Sequence, residues 1–253
     1  MNQRLEGKIA LVTGGSRGLG KVISMNLAEA GAMVIINYAN NKEMAEKTVE
    51  HIQSNGGQAL AVKGDITNEA AVTALIEESQ EKCKGTIDIL VNNATGPQPE
   101  LSIEDSTWND YLDQLHFFVK APLLLTKAIL PGMKKKKEGR IINICSEVVQ
   151  LGNPNFANYV TAKSSQIGMT RSWANELGAS GITVNLVNPG FIPVERHEDK
   201  DSAKYDGYRQ GVPLREMGEP DDIANMVVFL SSQEAKFITG QSLSVNGGNT
   251  FGI

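Results

Sequence analysis

Short runs of consecutive apolar, often β-branched residues alternate along this chain with longer stretches whose apolar positions recur every three or four residues. The first pattern marks strands buried on both faces, the second helices with one buried side. Strands are expected at residues 8–13, 33–37, 59–63, 87–91, 140–145, 182–187 and 242–245. Helices are expected at 19–30, 42–54, 68–84, 108–116, 121–133, 156–177 and 220–231. Gly31 ends the first helix and Asn55-Gly56-Gly57 the second, since a helix C-terminus favours residues that tolerate a left-handed turn. Strand-helix alternation of this kind implies an α/β fold: a doubly wound, seven-stranded parallel sheet flanked by helices on both faces. No linker or composition shift divides residues 1–253, so a single domain is expected. The charged stretch 191–215 carries no clear pattern and reads as a loop on the substrate side.

Composition narrows the function classes. With 24 Lys+Arg against 29 Asp+Glu the net charge is −5, which argues against a nucleic-acid or basic membrane-surface protein. The N-terminus has no apolar signal region, and the apolar run 121–130 is interrupted by Lys127 and stopped by Pro131, too short to cross a bilayer. A cytoplasmic protein is expected. Cys83 and Cys145 form no disulfide framework, and the scattered His51, His116 and His197 suggest no metal site.

Directly after the first strand comes Thr13-Gly14-Gly15-Ser16-Arg17-Gly18-Leu19-Gly20, running into a helix. Glycines let backbone N–H groups approach a pyrophosphate, and the helix N-terminus adds positive partial charge. A glycine-rich turn without a ligand is the plainer alternative, but strand and helix both flank it. Gly14, Ser16, Arg17, Gly18, Leu19 and Gly20 are therefore candidate dinucleotide contacts. An NAD site usually carries an acid at the end of the second strand. Here that strand ends Ile36-Asn37-Tyr38-Ala39-Asn40, with Asn37 as candidate contact and no acid before Glu43. Together with Arg17, which can pair with a 2′-phosphate, this favours NADP(H).

Tyr159 and Lys163 stand at i and i+4 and so share a helix face. A cation beside a phenol favours the phenolate and makes it a usable acid–base group. Such a pair is cheap, and Tyr38 with Lys42 is a second, accidental one. Context separates them: Ser146 lies 13 residues before Tyr159 at the end of an apolar strand, where active sites form in open α/β sheets. A serine there can hold a carbonyl that the tyrosine protonates. Cys145 reads as strand packing rather than a nucleophile.

These motifs, with Asp65 after the third strand, Asn92-Asn93-Ala94 after the fourth and Asn188-Pro189-Gly190 after the sixth, make the chain resemble a short-chain dehydrogenase/reductase over essentially its whole length. Within that Rossmann-type family it is most similar to the 3-oxoacyl-[acyl-carrier-protein] reductases, a likeness shared by Gly218-Glu219-Pro220-Asp221-Asp222 and Val245-Asn246-Gly247-Gly248. The resemblance implies that Tyr159 donates a proton to a ketone, Lys163 binds the nicotinamide ribose and Ser146 orients the carbonyl. It further implies that Asp65 and Ile66 hold the adenine, that Asn92 and Ala94 line the cofactor groove, and that Pro189, Gly190 and Ile192 lie beside the nicotinamide. A homotetramer is implied as well.

Three positions depart from the family pattern. Where many members carry an Asn that completes a water-linked proton relay, alignment places Phe118, with Gln114 and His116 nearby. Asn-Asn-Ala is followed by Thr95, with glycine delayed to Gly96, and Val194 stands where a Thr commonly binds the carboxamide. An acyl carrier protein is acidic, so a reductase acting on it needs basic residues at the pocket mouth. Lys134-Lys135-Lys136-Lys137 and Arg171 are candidates, while Asn175 weakens the case. The expected activity is NADPH-dependent reduction of a ketone, foremost a 3-oxoacyl thioester. Another small ketone, or a weakly catalytic dinucleotide-binding protein, is the alternative.

Overall fold

β1 (Ile9–Val12) lies inside a sheet whose strands run in the order β3-β2-β1-β4-β5-β6-β7, every neighbouring pair parallel. The other strands are β2 (Met33–Tyr38), β3 (Gln58–Lys63), β4 (Ile89–Asn92), β5 (Gly139–Ile144), β6 (Ile182–Pro189) and β7 (Ser242–Val245). The computed structural model describes residues 4–195 and 202–252. Chain order reverses direction between β1 and β4, and the crevice at their C-terminal ends is where an open α/β sheet binds ligands.

Alternate residues of each strand feed separate cores on the two faces of the sheet. Ala10 and Val12 of β1, with Ile142 and Ile144 of β5, join α1 (Gly18–Glu29) and α9 (Pro220–Ser231) through Leu27, Ile223 and Val227. Leu11 and Ile141 face the other way, onto Leu75 of α3 (Glu69–Cys83), Leu125 and Ile129 of α5 (Ala121–Lys136) and Leu177 of α7 (Ala157–Leu177), which follows the single turn α6 (Val148–Leu151). Both faces are covered along the central strands, which is why those read as apolar runs, whereas the edge strand β7, Ser-Leu-Ser-Val, alternates. α2 (Lys42–Ser54) covers the β2–β3 edge, its N-terminus capped by the Asn41 side chain on Met44 N–H at 3.0 Å.

Three sequence expectations are revised. The helices expected at 108–116 and 121–133 are one continuous rod: α4 (Trp108–Leu115), a π turn at His116–Lys120, then α5. α5 also runs past Pro131 to Lys136. Proline removes the bond to the Lys127 carbonyl, but that turn is exposed to solvent, while Met133 stays buried on the opposite side. By length and composition Trp108–Lys136 could cross a membrane, yet Ala121, Leu125, Ile129 and Met133 turn into the core beneath the sheet. Finally, the expected loop 191–215 contains a helix, α8 (Ser202–Gly211), while residues 196–201, including His197, lie outside the described residues.

Candidate active site

The glycine loop sits at the switch point and is braced from below. Thr13 Oγ donates to the Val91 carbonyl (3.2 Å) and accepts from the N–H groups of Asn93 (2.9 Å) and Ala94 (3.0 Å). The Asn93 side chain donates to the carbonyls of Thr13 (2.9 Å) and Gly14 (3.4 Å). Thr13 and Asn93 stood in the sequence motifs but were given no role there; the doubled Asn after β4 was the available signal. A Cβ on Gly20 would strike the Gly14 carbonyl and approach Asn93 Nδ2 to 2.5 Å. Gly18, with φ +53°, has no neighbour to such a Cβ nearer than 3.6 Å and opens onto a cavity of about 310 Å³ lined by Val22, Pro193, Val194, Glu195 and Tyr205.

This cradle fits a dinucleotide pyrophosphate. Arg17, the N-cap residue of α1, has no side-chain oxygen and leaves the helix N-terminus uncapped by its own side chain. Arg17 is exposed beside them. Asn37 plays a different part from the contact expected: its side chain is buried and donates to the Gly64 carbonyl (3.0 Å), while its own carbonyl accepts from Gly15 N–H (3.2 Å). Its carbonyl thus supports the glycine loop and its amide the turn after β3. Glu43, the first acid after β2, is paired with Lys47 at 2.6 Å and held below the usual carboxylate range by that hydrogen bond. Asp65 accepts from Thr67 N–H (2.9 Å) and hydroxyl (2.7 Å), setting the turn after β3, with Ile66 buried beside it.

Asn92 is also redirected. Its amide donates to Asn143 Oδ1 (2.8 Å), and Asn143 donates to Thr170 Oγ (3.0 Å), a polar ladder across β4, β5 and α7. Asn92 Oδ1 is buried without a hydrogen-bond partner. Ala94 lies against the glycine loop, 3.1 Å from a Cβ built on Gly14. Pro189 ends β6, Gly190 N–H donates to the Val245 carbonyl (3.0 Å), and the Ile192 side chain turns into the core against Gly218.

The three residues expected to carry chemistry converge at the C-terminal end of β5. Ser146 follows that strand, half-buried, its Oγ accepting from Val148 N–H at 3.4 Å. Tyr159 and Lys163 come from the first turns of α7. The Tyr159 ring stacks on Phe156 (centroids 4.6 Å apart, 18°) and meets the edge of Phe118 (5.4 Å, 87°). The Lys163 ammonium donates to the Ile144 carbonyl (2.6 Å) and lies 3.8 Å from the centre of the Phe118 ring. Cys145 donates its thiol to the Lys163 carbonyl (3.4 Å), and burial pushes that thiol up to about 11, so it stays protonated and packs.

Phe118 occupies the centre of the π turn, where the extra residue in the helix rotates its ring onto Lys163. Gln114 does not stand in for a relay amide, because its Nε2 donates to the Pro97 carbonyl (2.8 Å), and His116 is exposed. Gly96 has a local reason: a Cβ there would collide with the Phe117 ring. Truncating Phe118, 2% exposed, to Ala is expected to cost about 3–5 kcal/mol of stability. The cation–π contact accounts for about 0.5–2 kcal/mol of that. Phe118→Leu, which keeps most of the volume, should fall well short of the Ala variant in urea unfolding; equal losses would mean the packing account is wrong.

The lysine run corrects a further expectation. Lys134–Lys136 end α5 and Lys137 follows, just before β5 begins at Gly139, whereas Ser146 lies beyond the other end of that strand. Six strand residues span roughly 20 Å, so the run lies at the opposite ends of the strands from the site. Lys136 is engaged there with the buried Asp88 (2.7 Å).

The family described as enoyl-(acyl carrier protein) reductase matches residues 14–250. The chain is 40% identical over 243 residues to the 3-oxoacyl-[acyl-carrier-protein] reductase FabG of Staphylococcus epidermidis, covering 95% of this chain and 98% of that protein. It belongs to the short-chain dehydrogenase/reductase family. FabG of Vibrio cholerae is 41% identical over 247 residues, with coverage of 96% and 98%. Among solved structures, a 7α-hydroxysteroid dehydrogenase bound to NADH and 7-oxo glycochenodeoxycholic acid superposes with a TM-score of 0.92 at 35% identity, covering 98% of this chain and 96% of that one. A variant of a Serratia marcescens short-chain dehydrogenase/reductase gives 0.90 at 33%, covering 98% and 100%. Short-chain dehydrogenase/reductases bind nicotinamide dinucleotides, and this chain is an oxidoreductase of that family. The two acyl-carrier names in the comparisons, enoyl and 3-oxoacyl, differ in the bond reduced, so membership alone does not select the substrate.

Proposed function

We propose that this protein reduces a ketone to a secondary alcohol with NADPH, and that the ketone is a 3-oxoacyl thioester. The observation that carries the reading is the convergence of Ser146, Tyr159 and Lys163 at the end of β5, beside the glycine-loop cradle. The 40% identity to FabG proteins supports the substrate. The bound dinucleotide supplies the hydride. Gly14, Ser16, Gly18 and Leu19 would hold its pyrophosphate at the start of α1, Asp65 and Ile66 would border the adenine, and Ala94, Pro189, Gly190 and Ile192 the nicotinamide.

Ser146 Oγ–H donates to the substrate carbonyl and fixes its plane. Tyr159 gives its phenolic proton to the oxygen as negative charge develops there. Lys163 places positive charge beside that phenol and is itself oriented by the Ile144 carbonyl. Phe118 and Phe156 clamp the Tyr159 ring, so the hydroxyl is aimed before substrate arrives. In place of a relay amide, the π turn presents an aromatic ring to Lys163.

The NADPH preference rests on the absence of an acid between Asn37 and Glu43 and on the exposed Arg17. The family likeness supports a cytoplasmic homotetramer. The exposed Trp108 and Leu123 on α4–α5, with Phe237 and Phe251 on either side of β7, are apolar surface that assembly would cover. A second reading, a free ketone, is favoured by the position of the lysine run away from the site and by Asn175, whose side chain donates to the Arg171 carbonyl (3.0 Å).

The test follows NADPH oxidation at 340 nm with an acetoacetyl thioester on a carrier protein, with the free thioester and NADH as comparisons. NADPH is expected to exceed NADH at least tenfold in kcat/KM, and Arg17→Ala to erase most of that margin. Preference for the carrier form supports the thioester assignment; equal or better use of a free ketone favours the second reading. Equal use of NADH would overturn the cofactor choice.

A further inference from the structure

One buried carboxylate joins the segments that surround the catalytic serine. Glu147 follows Ser146 directly and is 4% exposed. Its Oε1 accepts from the Tyr208 hydroxyl (2.8 Å), and its Oε2 accepts from Asn246 Nδ2 (3.1 Å) and Asn249 Nδ2 (3.0 Å). Its backbone N–H donates to the Pro189 carbonyl (2.9 Å). Tyr208 stands on α8, and its hydroxyl oxygen also accepts from Phe191 N–H (2.9 Å). Asn246 further donates to Thr250 Oγ (2.7 Å) within the turn after β7.

Four stretches far apart in sequence therefore meet at this residue: α8 and the turn after β7 on the carboxylate of the Ser146 segment, and the end of β6 on its backbone N–H. Burial of a carboxylate is unfavourable unless its lone pairs are used, and here both oxygens are engaged by donors of defined direction. The Tyr208 phenol is driven well above its ordinary range, first by burial and then by the adjacent carboxylate, so it remains a donor. A Cβ on Gly190 would strike the Tyr208 hydroxyl, so glycine at that position is what lets α8 reach the network. No step of the reduction calls for a negative charge at this place.

We propose that Glu147 is a positioning residue for substrate: its carboxylate holds α8 and the turn after β7 against the Ser146 segment, so that the wall facing the bound ketone is built before the ketone arrives. The kinetic consequence rests on the reductase reading; the structural consequence does not.

Three variants test it, read by hydrogen exchange over residues 205–212 and 243–250 and by steady-state kinetics. Glu147→Ala is expected to speed exchange at least tenfold in both segments, with β1 unchanged. It should raise KM for the ketone at least tenfold, with kcat and NADPH affinity within threefold. Glu147→Gln should restore both readouts, because its amide oxygen can accept from both asparagines while its NH2 donates to Tyr208. Tyr208→Phe keeps the ring and should loosen 205–212 alone, and adding it to Glu147→Ala should loosen that segment no further. Unchanged exchange in both Glu147→Ala and Tyr208→Phe overturns the proposal, as does Glu147→Gln behaving like Ala, or loosening that multiplies in the double variant. If the wild-type chain reduces no ketone, the reductase reading fails, and the exchange measurements alone decide the role of Glu147.

Discussion

Tyr159→Phe is expected to lower turnover at least a hundredfold while leaving NADPH affinity within about twofold, because a positioned general acid contributes ~10²–10⁴ in rate. The substitution removes one oxygen and keeps the ring that Phe118 and Phe156 clamp, so packing at this buried position persists. The ring–ring geometry makes the variant a clean one: a loss of rate with an unchanged melting transition isolates the proton. Single-turnover reduction of the ketone with preloaded NADPH is the measurement. A Phe variant that retains more than a tenth of the wild-type rate would show that the proton comes from elsewhere, with the Ser146 hydroxyl the next candidate.

Gly20→Val should abolish dinucleotide binding, with NADPH affinity falling more than a hundredfold in a fluorescence titration. The added Cβ meets the Gly14 carbonyl and Asn93 Nδ2, both backbone-braced, so the loop has nowhere to yield. The loop must deform, and the Thr13–Asn93 scaffold that holds its N–H groups in register goes with it. Gly18→Ala offers a contrast. Its Cβ finds no clash, but it carries a left-handed residue, costing about 1–2 kcal/mol, and intrudes on the open groove. It should fold, keep the loop, and lose about tenfold in affinity. If Gly20→Val binds NADPH normally, the loop is not the cradle.

The order and kind of the elements were legible because the central strands are buried on two faces and the long helices on one. The helix Lys42–Ser54, closed by Asn55-Gly56-Gly57, and the strand Ser242–Val245 were placed to the residue. Ser146, Tyr159 and Lys163 were legible from spacing, since four residues make one turn and bring Tyr159 and Lys163 to a common face. α8 was not legible: only its packing partners reveal why a charged, Gly-containing segment becomes helical, and Tyr208 reaches Glu147 across 61 positions of sequence. The π turn was equally hidden, because one residue of excess in a helix leaves the apolar pattern nearly unchanged while rotating everything on one side of it.

What the chain determined by itself is local: where backbone conformation must be extended or helical, which glycines open the first turn, and which side chains share a face. What only the tertiary structure decided is direction. Asn37 and Asn92 stand at strand ends in sequence as candidate cofactor contacts, yet their amides turn inward to Gly64 and Asn143 because those neighbours arrive from other strands. Asn93, one position on, takes up the glycine loop. The lysine run reads as a docking patch until the sheet places it a full strand length from the serine. Phe118 becomes a lid over Lys163 only when α7 is laid beside the π turn. Polar side chains choose among partners brought together by the fold, and that choice is made by long-range packing that no window of sequence contains.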